Sequence, residues 1–252
     1  MTDTIDDTQR NWARVVGIAY LFAIIPSFFA EFYVLDQLIV TGDALATAAN
    51  IVANERLFRL GTAANVLVFA ADVLLIAGLY IVLEKVNRNL ALVAVLFRML
   101  ETAMLLIAAL NDLDVIRILT ADYMQVFEPD RLAAIARTSL GAHGAAYNLG
   151  LMLFGLGSPV FCYLWLKSGY IPKALAGLGI ISSVVVAICA FTFIIFPEAG
   201  KVVTVAFYGG PILLFEIAIG LWLVTKGISP PRSGHADGMI SGVVLPMRKQ
   251  PA

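Results

Sequence analysis

The sequence predicts an all-α fold, an integral membrane helical bundle of six transmembrane helices with two short outer interfacial helices. Three observations carry that prediction. Hydrophobic residues make up 60% of the 252 positions and charged residues 14%, whereas soluble domains are about half apolar and a quarter charged. Mean hydropathy is +0.89. Apolar runs recur at about the 20 residues that a helix needs to cross a bilayer, and they lack the apolar–polar alternation of barrel strands.

Residues 1–13 (MTDTIDDTQRNWA) are polar and acidic and are expected to form a cytoplasmic N-terminal segment. The first apolar run is too long for a signal peptide and shows no small-residue cleavage site, so it is expected to stay as a span. Apolar windows place the spans at 14–35, 57–83, 90–111, 145–167, 174–196 and 203–225, within a transmembrane domain over 14–226. In the connection TGDALATAANIVAN, Asp43 is a helix N-cap and Leu45, Ala48, Ile51 and Val52 cluster at helical spacing. EPDRLAAIARTSL opens with proline at a helix start and sets Leu132, Ile135 and Ala136 on one side. Both read as interfacial helices on the outer surface, or as capped loops packed on the bundle. Residues 227–252, which include His235, are rich in Pro, Gly and Ser and are expected to be a disordered cytoplasmic tail.

Lysine and arginine set the orientation. Arg10, Arg14, Lys85, Arg88, Lys167, Lys173, Lys226, Arg232, Arg248 and Lys249 fall on the side of both termini, and Arg56, Arg59, Arg117, Arg131, Arg137 and Lys201 on the other. The positive-inside rule then puts both termini in the cytoplasm. The expected partner is the lipid bilayer. A formal net charge of −1 offers no basic stripe for phosphates, so nucleic acid is not an expected partner. Cys162 and Cys189 fall inside apolar runs and read as small buried hydrophobes.

Five ionisable residues lie within the spans: Glu31, Asp72, Arg98, Glu101 and Glu216. An Asp or Arg at the centre of a span costs roughly 2.5–3.5 kcal/mol on the insertion scale, so each should face the bundle interior and find a partner. At about 1.5 Å per residue, Asp72, Arg98, Glu101 and Glu216 share a level, with Glu31 about one turn nearer the outer face. On the third span Ala91, Ala94, Arg98, Glu101, Thr102, Ala108 and Asp112 share a side; on the second, Gly61, Asn65 and Asp72 do. Small residues beside polar ones suit close helix packing and bonds between helices. Arg98 is expected at the centre, pairing with Asp72 or Glu101, with Glu216 near. Four carboxylates then face one arginine, and the surplus acids need protons, water or a cation. The alternative is a buried ionic clamp that only fixes packing.

His143 begins the fourth span in GAHGAAYNLG and could approach Glu31, Asp112 or Asp114, a ligand set of plausible type for a divalent metal. A histidine capping a helix at the interface is the preferred account of it, and one histidine outside the tail is too few for a membrane zinc hydrolase. YGGPILLFE at 208–216 could kink or unwind the sixth span ahead of Glu216, or simply start it, and GLGSPV at 155–160 weakens the fourth. No G-x-S-x-G, H-E-x-x-H or S-x-x-K arrangement is present, so neither a catalytic residue nor a cofactor is expected.

RVVGIAYLFAII at 14–25, GDALATAANIVANERLFRLG at 42–61, LEKVNRNLALVAVLFRMLE at 83–101 and WLKSGYIPKALAGLGIIS at 165–182 together resemble a bacterial membrane-protein family, the one catalogued as Domain of Unknown Function 4386. The resemblance runs in order over roughly residues 10–226 and is marked by Asn50, Arg59, Asp72, Asn87, Arg98, Ser168, Gly169, Tyr170 and Pro172. It implies several transmembrane helices in a prokaryotic inner membrane and no activity. In KSGYIP, Tyr170 is expected at the membrane interface and Pro172 to fix the turn.

The expected function is small-solute or proton-coupled transport or binding through Asp72, Arg98, Glu101, Glu216, Glu31 and Asn65, with Arg98 holding an anion or carboxylate and a neighbouring acid exchanging a proton. A non-catalytic membrane partner or lipid-binding subunit with a structural clamp is the alternative. An intramembrane metal-dependent enzyme around His143 is the second.

Overall fold

The computed structural model describes residues 5–229. Helix α1 runs from Asp7–Phe28 and continues through a π-helical stretch, Phe29–Leu35, and a last turn, Asp36–Leu38. Helix α2 is Ala44–Ala53. The helical stretch Glu55–Thr120 is broken at Asn87, whose φ of −164° and ψ of 102° are extended, into α3 (55–86) and α4 (88–120). Then come α5, Pro129–Ser168, α6, Lys173–Ile195, and α7, Val205–Thr225. No strand occurs among the described residues.

The break at Asn87 is a reversal of direction. Twenty-six residues of continuous helix would hold Asp72 and Arg98 about 39 Å apart, yet the two form an ion pair at 3.6 Å. Asn87 makes the turn chemically: its Oδ1 accepts from the Leu90 backbone N–H at 3.1 Å and caps the start of α4. With α3 and α4 counted separately, α1, α3, α4, α5, α6 and α7 are long and apolar enough to cross a membrane, the architecture of a multi-pass membrane protein. Burial agrees. Ile25, Leu67, Leu74, Leu100, Ile181, Ile188 and Leu214 are exposed, while Asp72, Arg98, Glu101 and Asp112 are buried. Outward Leu and Ile around an inward polar set suits lipid as solvent.

The six long helices close a ring. Gln9 Nε2 of α1 donates to the Val82 carbonyl of α3 at 3.1 Å; Arg98 joins α4 to α3; the imidazole of His143 ties α5 to Asp112 of α4; α6 packs on α5 and α7. The closing contact is α7 on α1. A Cβ on Gly17 would lie 2.9 Å from the Gly220 carbonyl oxygen, and one on Gly220 would lie 2.8 Å from Leu21 Cγ. Only glycine at both positions lets these backbones approach so closely.

The two ends of the ring are built differently. At the end where residues 5 and 229 lie, Asp6 caps α1 in a reciprocal box with Gln9 and pairs with Lys85 at 2.7 Å. The α5–α6 turn is made by Gly169, at φ +66°, and by Ser168, whose hydroxyl accepts from the Tyr170 N–H at 3.2 Å. The Ser229 N–H reaches the Tyr170 carbonyl at 3.3 Å and Ile228 is buried. At the opposite end α2 lies across the bundle. Its Asp43 Oδ1 accepts from the Ala46 N–H, and its Ile51 is buried with Val34, Phe58, Ile116, Leu119, Leu132 and Leu140.

Several expectations need adjustment. The segment 129–141 is no separate surface helix but the first turns of α5, because apolar Leu132, Ala136 and Leu140 pack on the extended end of α4 and nothing interrupts the helix. Helix α1 begins at Asp7, so most of the expected polar segment 1–13 is helical under the Asp6 cap. Tyr170 is buried edge-on to Trp165 rather than at a lipid interface. Helix α7 is continuous through Gly209, Gly210 and Pro211, which lie within its first two turns, although Pro211 withholds the backbone donor that the Phe207 carbonyl would otherwise receive. The expected disordered tail, from residue 230 onward and including His235, lies outside the described residues.

Two outcomes follow. Gly17→Leu should overpack the α1–α7 contact and lower the melting temperature in detergent by the equivalent of about 1–3 kcal/mol, whereas Gly177→Leu, at a position where a Cβ meets nothing within 4 Å, should leave it unchanged. The Lys85 ammonium holds the Asp6 carboxyl below its ordinary value of 3.8, so this pair stabilises the fold above that pH and the contribution is lost as pH falls through the depressed value. Asn caps helices as well as Asp does, so Asp6→Asn isolates the ion pair. Its melting temperature should fall slightly below wild type at pH 7, and the two curves should converge in acid.

Candidate functional site

The ring encloses a cavity of about 500 Å³ lined by residues from all six long helices. Its base is Arg98, set on a face of α4 that also carries Ala91, Ala94, Thr102, Ala108 and Asp112, all buried. The helix α5 can seat against that face because residue 157 is glycine: a Cβ there would lie 2.9 Å from Phe97 Cβ and 3.1 Å from Arg98 Cγ.

Arg98 is 4% exposed, and its guanidinium is densely partnered. Nη1 donates to Glu101 Oε1 at 3.1 Å and lies 2.8 Å from Glu101 Oε2, an ion-pair contact without hydrogen-bond alignment. The same nitrogen reaches Ser158 Oγ at 3.4 Å. Nη2 faces Asp72 Oδ1 at 3.6 Å, and the Phe154 ring centroid lies 4.7 Å from the guanidinium carbon. A planar, delocalised cation suits this mixture of carboxylates and an aromatic face better than a lysine would.

Two other acids line the cavity. Glu216, on α7, lines it within electrostatic reach of Arg98 and makes no hydrogen bond or ion pair among the described residues. Glu31 sits in the π-helical stretch of α1, and its Oε1 accepts from Asn65 Nδ2 at 3.2 Å. Pro26, one turn before, withholds a backbone donor from α1 and loosens its hydrogen-bond ladder ahead of that stretch. All six residues expected at the site, Glu31, Asn65, Asp72, Arg98, Glu101 and Glu216, therefore line one cavity.

His143 stands apart from Arg98. Its Nδ1 lies 2.8 Å from Asp112 Oδ1 and 3.2 Å from the Ala108 carbonyl oxygen, and its ring stacks on Tyr147, a cavity residue. Among the described residues no three His, Cys, Asp or Glu side chains converge as a metal site would need, so Asp112 is a helix-to-helix partner for His143 rather than a fellow ligand. Asp114 turns the other way, to Arg117 and to the Ser139 hydroxyl at 2.9 Å.

Sequence reasoning missed Ser158 and Phe154 as Arg98 partners. Ser158 carried a signal, a lone hydroxyl before Pro159 in an apolar span; Phe154 carried none, being one of many aromatics in apolar runs. The aromatic lining of Phe28, Phe32, Phe69, Tyr147 and Tyr208 was likewise invisible without the helix order.

Removing one partner tests how much the set contributes to folding. Arg98→Ala leaves Asp72 and Glu101 buried and unpaired, a loss of roughly 3–5 kcal/mol for a buried pair. The melting temperature in detergent should drop sharply. Adding Asp72→Asn and Glu101→Gln to Arg98→Ala should recover part of it.

No curated protein and no solved structure matches the chain. The family model described as Domain of unknown function (DUF4386) matches residues 15–227, which contain every residue named in the cavity. The chain belongs to that family.

Proposed function

We propose that the protein binds or moves a small solute through the central cavity, with protons exchanging on its acids, in the bacterial cytoplasmic membrane and with both termini inside. The carrying observation is the cavity itself: about 500 Å³, lined by all six long helices, mostly apolar and with a few convergent polar groups. Volumes of about 300–1,000 Å³ with that lining typify small-molecule sites. Ionisable groups kept inside a membrane bundle, rather than replaced by apolar ones, mark solute or proton pathways. The basic excess on the side of the termini supports the orientation, and the exposed apolar faces support lipid as the surrounding partner. No nucleic-acid partner is proposed.

Arg98 takes a different part from the one expected of it. With Asp72, Glu101, Ser158 and Phe154 around the guanidinium, an incoming anion would have to displace a carboxylate. Arg98 therefore serves as the base of the cavity and holds α3, α4 and α5 together. That geometry also favours a second reading, a non-catalytic membrane subunit in which the clamp is purely structural.

A ligand-stabilisation screen separates the two. Purified protein in nanodiscs is melted against a library of small cations, anions and neutral solutes. Gly209→Phe, on the face of Glu216 and with only Val205 of its own helix near the new Cβ, fills the cavity without straining the fold. At least one solute should raise the melting temperature of wild type and not of Gly209→Phe, the two having equal melting temperatures without solute. Stabilisation by none, or equally in both, would leave the clamp reading.

A further inference from the structure

Granting a solute-binding cavity, its chemistry points to a class of solute. We propose that the cavity takes an apolar organic cation, admitted between α1 and α7, with its positive charge held by Glu216 and its body against the aromatic walls. Charge balance is the first argument. The ionisable carboxyl and guanidinium groups lining the cavity are Glu31, Asp72, Glu101 and Glu216 against Arg98. Arg98 is committed to Asp72 and Glu101, which leaves Glu216 without a partner and Glu31 with only a neutral amide. A site of this sign attracts cations and repels anions, and in a low-dielectric wall the discrimination is larger than in water.

The lining is the second argument. Phe28, Phe32, Phe69, Tyr147 and Tyr208 line the same cavity as Glu216. Aromatic faces attract organic cations through their quadrupoles, most strongly where the cation is desolvated, and this is how quaternary ammonium groups are commonly recognised. A small hydrated metal ion would find too few oxygens, since no three ligating side chains converge among the described residues. An apolar body carrying one positive charge matches both the walls and the acid.

The route is the third. Helices α1 and α7 touch at Gly17 and Gly220 but part toward the α2 end, where Phe28, Phe32, Val205 and Ala206 are at once cavity-lining and exposed. The mouth therefore lies between these two helices. Glu31 stands beside it. Glu216 lies ten residues of helix past Ala206, about 15 Å deeper. A cation would pass one acid before reaching the other.

The test uses the full chain in nanodiscs, with empty nanodiscs subtracted, and three probes of similar size: benzyltrimethylammonium, its uncharged carbon isostere neopentylbenzene, and the anion phenylacetate. Benzyltrimethylammonium should bind at least ten-fold more tightly than either, and Glu216→Gln should weaken it at least ten-fold while leaving neopentylbenzene unchanged. Gly209→Phe should abolish all binding. Equal binding of the cation and its isostere, tighter binding of phenylacetate, or cation binding that survives Glu216→Gln would overturn the cation assignment and leave the cavity a solute site. Binding of none of the three to wild type would likewise overturn the cation assignment, and binding of all three that persists in Gly209→Phe would remove the solute-binding reading with it.

Discussion

The buried guanidinium of Arg98 is the interaction on which the rest of the bundle depends. A cation in the middle of an apolar helix has no water to screen it, so its neutralising groups must come from the protein. Glu101 comes from the same helix, one turn on; Asp72 comes from the neighbouring helix. That second requirement fixes the rotation of α3 against α4 and the height of one against the other. Ser158 and Phe154 then fix α5 against the same group. Three helices are thereby set by one side chain, and small residues at 91, 94 and 157 keep the backbones near enough for the contacts to form.

With those three helices placed, the cavity follows from what the remaining helices do not fill. Helix α1 is drawn to α3 by Gln9 and Lys85 at one end, and its π-helical stretch turns Glu31 toward Asn65 at the other. Helix α7 meets α1 through paired glycines at one end only. The helices therefore splay, and the space between them keeps Glu216 without a protein partner. A structural clamp alone would need Arg98, Asp72 and Glu101; it would not need Glu216 or Glu31. Those two acids are what the proposed binding site has beyond a packing device.

Much of this was legible in the residues. The inward face of α4 was readable because Ala91, Ala94, Arg98, Glu101, Thr102, Ala108 and Asp112 combine small and polar side chains at helical spacing, and an ionisable group in a span has only one tolerable direction to face. Gly61, Asn65 and Asp72 on α3 followed from the same logic, and all three are buried. The helix order around the ring was not legible, because each span is apolar enough to pack on any other. For that reason the pairing of His143 with Asp112, the aromatic walls and the mouth between α1 and α7 needed coordinates. Some helix limits were also beyond reach, although Asp43 and Pro129 mark the starts of α2 and α5 as expected. Leu132 and Leu140 look the same in a surface helix as in the extension of a long one, and a glycine–proline pair does not reveal whether it breaks a helix or starts it.

The proposed site is an acidic, solvent-reachable cavity around the Arg98 set. The most direct measurement is the rate at which charged thiol reagents reach a single cysteine in its wall. Ser27 lines the cavity on α1, and the native Cys162 and Cys189 are buried and replaceable by alanine. In that background, with each rate divided by that reagent's rate on a free thiol in solution, Ser27→Cys should react with a trimethylammonium-bearing methanethiosulfonate at least ten-fold faster than with the sulfonate-bearing one, and Glu216→Gln should narrow the difference. No reaction with either reagent, or equal rates with both, would rule out an acidic cavity open to solvent.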